Sequence, residues 1–230
     1  MKIIKPYVEQ ISPVIDGVEF LKRIERIGRV CYKSEDKITD ESAPIFVAKL
    51  IKNGHEAMIE HVSLTVKFIC DRGVTHEIVR HRLASYAQES TRYCNYSGGE
   101  IQFIQPCWFE NDYTQKDTFE DLTEYPVVER DWVFAMLYAE QIYNKLITGK
   151  WKPQQARSVL PNSLKTEIVV TMNLREWRHF FKLRTAKSAH PQMQEVADMA
   201  LVLLKSQIPI VFDDIYLASK YEVIKLREEK

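Results

Sequence analysis

The stretch Arg80-His81-Arg82-Leu83-Ala84-Ser85-Tyr86-Ala87-Gln88-Glu89-Ser90-Thr91-Arg92-Tyr93 places three guanidiniums, an imidazole and several hydroxyls within a short span. Arginine is a fixed cation whose planar fork matches phosphate oxygens two at a time. Holding several together is costly unless an anion neutralises them. Two readings stay open on charge alone. The cluster is an anion site, or it is a solvated basic face paired with Glu77 and Glu89.

Working outward, Val62, Leu64, Val66 and Phe68 alternate and predict a strand over 62–70. A helix over 74–84 then carries the cluster into a polar stretch, 88–95. Residues 101–104 predict a second strand. Residues 109–125 are acidic and polar and read as a surface loop or insertion. A long helix over 125–147 contains Trp132, Met136 and Ile142, and Pro153 opens a short helix carrying Arg157. A β-branched strand spans 166–172, followed by helices over 174–184 and 192–206. Toward the N-terminus, Asp16 and Glu19 form a capping-box pattern before Phe20, Leu21, Ile24 and Ile27. Another helix covers 43–52 and ends at Asn53-Gly54. The expected fold is α+β: a single domain over 1–230, its helices packed on a mixed or antiparallel sheet.

Hydrophobic residues are 45% and charged residues 28%, the profile of a globular rather than a disordered chain. Lys+Arg and Asp+Glu both number 32, which argues against bulk nucleic-acid or membrane binding by charge. No apolar run spans a bilayer, and Met1 to Gln10 lacks the apolar stretch of a signal peptide. A cytoplasmic protein is the expectation. Cys31, Cys70, Cys94 and Cys107 show no paired spacing and read as reduced and structural. With only 7 glycines there is no Gly-rich nucleotide loop, so side chains must hold any bound phosphate.

A second basic group lies at Arg175, Arg178, His179, Lys182 and Arg184. At about 100° per residue, Leu174, Trp177 and Phe181 share one apolar face. Arg184 falls on that side, between Trp177 and Phe180. Arg175, Arg178, His179 and Lys182 gather opposite. Arg184 then needs a buried anion or acceptor, or its head snorkels to water at the helix end. Metal ligation is not expected. His55 and His61 are six apart, and His76 and His81 five, whereas a helical zinc pair needs four.

The Arg80–Tyr93 segment resembles the signature of flavin-dependent thymidylate synthases: Arg-His-Arg, seven residues, then Ser90. Gly54-His55-Glu56 and Glu60-His61 resemble the family upstream. Ala156-Arg157-Ser158-Val159-Leu160-Pro161, Thr171-Met172-Asn173-Leu174-Arg175 and Leu183-Arg184 resemble it downstream, in order, over roughly residues 10 to 215. The resemblance implies reductive methylation of dUMP to dTMP. Methylenetetrahydrofolate would supply the carbon, NADPH the reducing power and FAD the hydride, with no cysteine nucleophile. It also implies a homotetramer with active sites where subunits meet.

By position, the resemblance makes Arg184 the catalytic arginine at the uracil. Arg80, His81 and Arg82 become the flavin triplet, with His55, Ala57, Gln88, Asn173, Arg175, His179 and His190 as further flavin positions. Glu77, Arg80, Gln88, Glu89, Ser90, Thr91, Arg92, Arg157 and Arg184 become the dUMP set. The chain departs from many members at Ala87-Gln88, where they have Asn-Glu. It also has Glu77 where some carry a neutral amide, and a longer stretch between Arg184 and His190. A nucleic-acid or polyphosphate-binding module using Tyr86, Tyr93 and Tyr96 for stacking, and an inactive relative, are the competing readings.

Overall fold

Helix α1 (Gly17–Val30) starts where Asp16 caps it, the carboxylate accepting the Val18 N–H at 2.9 Å. Its buried stripe holds Phe20, Leu21, Ile24 and Gly28. Gly28 is required by close packing: a Cβ there would lie 2.6 Å from the Phe46 ring of α2 (Ser42–Lys52). Beyond α2, Gly54 takes a left-handed φ of 69° and turns the chain into a 3-10 helix, Glu56–His61. This is the computed structural model of the chain, and it describes residues 1–11, 16–116, 118–119 and 122–217.

Strands β1 (Lys2–Ile4) and β5 (Gln102–Ile104) form a parallel pair, Lys2 opposite Gln102. Strands β2 (Tyr7–Gln10), β3 (Ser63–Asp71), β6 (Lys165–Asn173) and β4 (Ala84–Gln88) form a second sheet in the order β2-β3-β6-β4. Its register is antiparallel. The Leu174 N–H donates to the Val62 carbonyl at one end of the β3–β6 pair, and the Arg72 N–H to the Leu164 carbonyl at the other. Along β6, Thr166, Ile168, Val170 and Met172 alternate inward. The class is α+β, as expected.

Helix α3 (Arg72–Ile78) is shorter than the expected 74–84. Residues 84–88 form a strand instead, and just beyond it the Glu89 N–H donates to the Glu167 carbonyl at 2.9 Å. Pairing with β6 sets Ala84–Gln88 as a strand.

The chain divides into two compact units. One comprises Met1–Tyr7, Phe68–Val79 and Ala87–Ile168. Its core lies along α4 (Val127–Thr148). Ile101, Phe103, Met136, Tyr143 and Leu164 form one cluster, and Ile3, Tyr113, Phe119, Leu122 and Val133 another. Helix α5 (Pro153–Ala156) leads into a 3-10 turn, Arg157–Val159. Residues 109–125, expected as a surface loop or insertion, carry no helix or strand among their described residues; Glu110, Asp112 and Gln115 are exposed, while Tyr113, Phe119 and Leu122 are buried and anchor the stretch. Buried Glu129 accepts the Glu110 N–H, the Asn111 amide and the Tyr113 hydroxyl, and Tyr113 is fully buried. A buried carboxylate needs such donors, and here one stretch supplies all three.

The other unit comprises Val8–Lys67, Arg80–Tyr86 and the chain from Val169 on. Helix α6 (Leu174–Arg184) places Trp177, Phe180 and Phe181 in an edge-to-face and stacked group with Phe212 of α8 (Pro209–Phe212). Helix α7 (Pro191–Gln207) buries Met193, Val196, Ala197 and Leu201. The Trp177 indole N–H donates to the Leu64 carbonyl at 3.1 Å, tying α6 to β3. Among the described residues, no helix is long and apolar enough to cross a membrane.

Candidate active site

In the first unit, β4 ends in a tight turn. The Tyr93 and Cys94 N–H groups both donate to the Ser90 carbonyl, at 3.1 and 2.9 Å, and the Ser90 hydroxyl accepts the Arg92 N–H at 3.4 Å. Arg157, far away in sequence, reaches this turn and donates from Nη1 to the Thr91 hydroxyl at 3.2 Å. Arg92 lies 5.4 Å from the Tyr93 ring. Among the described residues, neither Arg92 nor Arg157 makes an ion pair.

The basic-face reading paired these arginines with Glu77 and Glu89, and Glu89 does not pair with them. Its carboxylate goes elsewhere, accepting the Tyr96 hydroxyl at 2.7 Å and the Lys165 ammonium at 3.3 Å. Burial and this carboxylate push the Tyr96 hydroxyl far above its usual range. Gln88 turns its amide N–H to the Thr75 hydroxyl at 3.0 Å. Glu77 is half-buried on α3. The turn therefore gathers Ser90, Thr91, Arg92 and Arg157, its cations without an ion pair among the described residues.

In the second unit, Arg80 and Arg82 are exposed and make no ion pair among the described residues, while His81 between them is 4% exposed. His81 Nδ1 lies 3.1 Å from Glu176 Oε1, and its Nε2 accepts from Arg184 Nε at 3.0 Å. Its ring packs edge-on to Phe180 at 4.9 Å and His179 at 5.6 Å. Burial first, and then the Arg184 guanidinium and His179, pull the imidazole below its usual pKa, against the opposing effect of Glu176.

His81, Glu176 and His179 bring ligand atoms within 4.8 Å of one another, the spacing of a metal site. Both ring nitrogens of His81 are already hydrogen-bonded, one of them to a cation. A metal ion there would have to displace the Arg184 guanidinium.

The remaining expected residues surround α6 or lie apart from it. Asn173 caps α6, its side-chain oxygen accepting the Glu176 N–H at 2.9 Å. Arg175 pairs with Glu60 at the exposed surface. His55 and Ala57 are exposed around the start of the 3-10 helix, and cavities of about 590 and 310 Å³ open beside His55. His190 caps α7.

Helical spacing misplaced Arg178. It was expected with the polar set, yet it is 1% exposed. Its fork bonds both Asp214 oxygens, at 2.6 and 2.7 Å, its Nε bonds Glu56 at 2.9 Å, and it also donates to the Val211 carbonyl. Segment 211–214 covers what a wheel of α6 alone shows as a solvent face. Arg184 is half-buried, and its Nε donates to the His81 imidazole. Glu176 also escaped the sequence reading. Its signal was the Asn173-to-Glu176 capping-box spacing beside Trp177.

Residues 14–210 match the family described as thymidylate synthase complementing protein. A flavin-dependent thymidylate synthase of Corynebacterium efficiens is 35% identical, over 86% of this chain and 80% of the relative. One of Corynebacterium aurimucosum is 33% identical, over 85% and 80%. The chain belongs to the flavin-dependent thymidylate synthases. The fold agrees: a UMP/dUMP methylase from Streptomyces cacaoi, solved with 5-Br dUMP, superposes with a TM-score of 0.73 at 23% identity, covering 93% of this chain and 96% of that one. In this flavin-dependent thymidylate synthase, burial and the neighbouring Asp71 carboxylate push the Cys70 thiol far above its usual range, which leaves it protonated and unreactive.

Proposed function

We propose that this enzyme methylates dUMP to dTMP reductively, taking the carbon from 5,10-methylenetetrahydrofolate, with FAD as its flavin and NADPH as reductant. The observation that carries this is the Arg157–Thr91 bond, which brings a distant guanidinium to the Ser90–Arg92 turn. Two cations that make no ion pair among the described residues, together with a serine hydroxyl, suit the phosphate of a nucleotide. Lys165 and Tyr96 hold the Glu89 carboxylate, so it does not cancel that charge. Gln88, Glu89, Thr91 and Glu77 complete the dUMP set.

The chain's residues also fit the flavin. Arg80 and Arg82 are exposed guanidiniums without ion pairs among the described residues, on either side of a buried histidine, and suit its diphosphate. His55, Ala57, Asn173, Arg175, His179 and His190 are the further positions. Bound there, the reduced flavin supplies the hydride. Arg184 contacts the uracil and stabilises negative charge at N3, which raises electron density at C5, the carbon to be methylated. No cysteine attacks the substrate, a reading that the buried, protonated Cys70 supports.

The two units work as one domain, and the enzyme is a homotetramer whose active sites lie where subunits meet. The exposure of Arg80, Arg82, Arg92 and Arg157 supports this. A cytoplasmic setting suits its four free cysteines. The test is direct. Purified protein should be yellow or take up FAD stoichiometrically. It should release tritium from [5-³H]dUMP only with NADPH and methylenetetrahydrofolate present. Protein that ignores FAD refutes the flavin assignment. Flavin uptake without dUMP-dependent turnover would mark an inactive relative.

A further inference from the structure

We infer that Glu176 is a positioning residue for Arg184, acting through the tautomer of His81. The inference rests on the role proposed above for Arg184. Arg184 Nε carries a hydrogen and no lone pair, so in its 3.0 Å bond His81 Nε2 must be the acceptor. In the neutral ring the proton is therefore on Nδ1, and it faces Glu176 Oε1 at 3.1 Å. The three side chains form a directed chain, carboxylate to imidazole to guanidinium. Each bond fixes the sense of the next.

The surroundings enforce this order. Glu176 is 7% exposed and His81 4%, so neither can exchange its partner freely for water. Glu176 lies in the first turn of α6, where the Asn173 cap holds its N–H and the helix dipole favours a carboxylate. The Tyr86 hydroxyl donates to the His81 carbonyl and anchors the backbone beneath the ring. Phe180 and His179 pack edge-on against the ring. The imidazole is thus fixed in place and in hydrogen-bond polarity.

The consequence falls on Arg184. With Nδ1–H the ring offers a lone pair that holds the guanidinium at Nε. With Nε2–H, two N–H donors would face each other and Arg184 would be displaced. Glu176 excludes that second form because an ionised carboxylate only accepts. Glutamine has the same shape but presents either a carbonyl or an amide, so it admits both tautomers. A guanidinium misplaced by about 1 Å can cost on the order of 100-fold in rate.

The experiment uses the flavin-loaded enzyme with ¹⁵N-labelled histidine. The His81 ring signals are assigned by their loss in His81→Asn. We expect a protonated Nδ1 and an acceptor-type Nε2 in the unaltered enzyme. In Glu176→Gln we expect mixed tautomers, retained FAD, and a fall in kcat of at least tenfold that exceeds any change in KM for dUMP. An Nε2-protonated His81 in the unaltered enzyme overturns the inference. So does a folded Glu176→Gln enzyme with undiminished kcat. Should that variant not fold, the ring shifts of the unaltered enzyme decide. If the unaltered enzyme binds FAD but turns over no dUMP, the role of Arg184 fails, and the tautomer result stands apart from it.

Discussion

Replacing Arg178 with methionine should remove a clamp on the helix that carries Glu176, His179 and Arg184. The guanidinium is 1% exposed and bonds Glu56, both oxygens of Asp214 and the Val211 carbonyl. Breaking a buried ion pair from one side costs about 3–5 kcal/mol. The abandoned acids are not equally buried. Asp214 is 48% exposed and rehydrates, whereas Glu56 is 19% exposed and retains a contact to Lys182 at 3.6 Å. The expected loss therefore falls at or below the bottom of that range, about 2–3 kcal/mol. For a chain of this size that lowers Tm by about 4–12 °C.

Urea unfolding should show a lower midpoint at unchanged slope. Arg178→Met combined with Glu56→Gln and Asp214→Asn should recover part of the loss, because no acid is then left unpaired. The pH dependence adds a check. Hydrogen bonds from Arg178 hold the Asp214 carboxyl below its usual range. That contribution is fully present above the unfolded value of about 3.9. It is lost as pH falls through the lower folded value, so unaltered protein should lose stability in that acid window and the Arg178→Met protein less so. A loss under about 1 kcal/mol, or an unchanged acid limb, would refute the clamp.

Arg184→Ala should keep its flavin spectrum and lose about 100-fold or more in turnover; near-normal turnover refutes its role at the uracil. Arg157→Ala should raise KM for dUMP at least tenfold, about 1.4 kcal/mol, leaving FAD affinity unchanged; titration with dUMP and with FAD separates the two effects. Cys31 is exposed and should react with a thiol reagent in the native state, whereas Cys70 should react only on unfolding, as timed labelling and mass spectrometry will read.

The sequence alone determined the α+β class, the helices beginning after Asp16 and at Leu174, strands β3 and β6, and the family, because these rest on local periodicity, caps and motif order. Only the tertiary structure decided where charges and short strands ended up. Residues 84–88 are a strand because β6 lies beside them, and no local pattern carries that information. Residues 110–113 are tied down because the buried Glu129 of α4 gathers their donors. Arg178 is buried because segment 211–214 folds over it, whereas a helical wheel shows only one helix in water. The Arg-His-Arg motif was legible as a set of cations. Its buried histidine, held between Glu176 and Arg184, was not, since hydrogen-bond direction depends on atoms that meet only after folding.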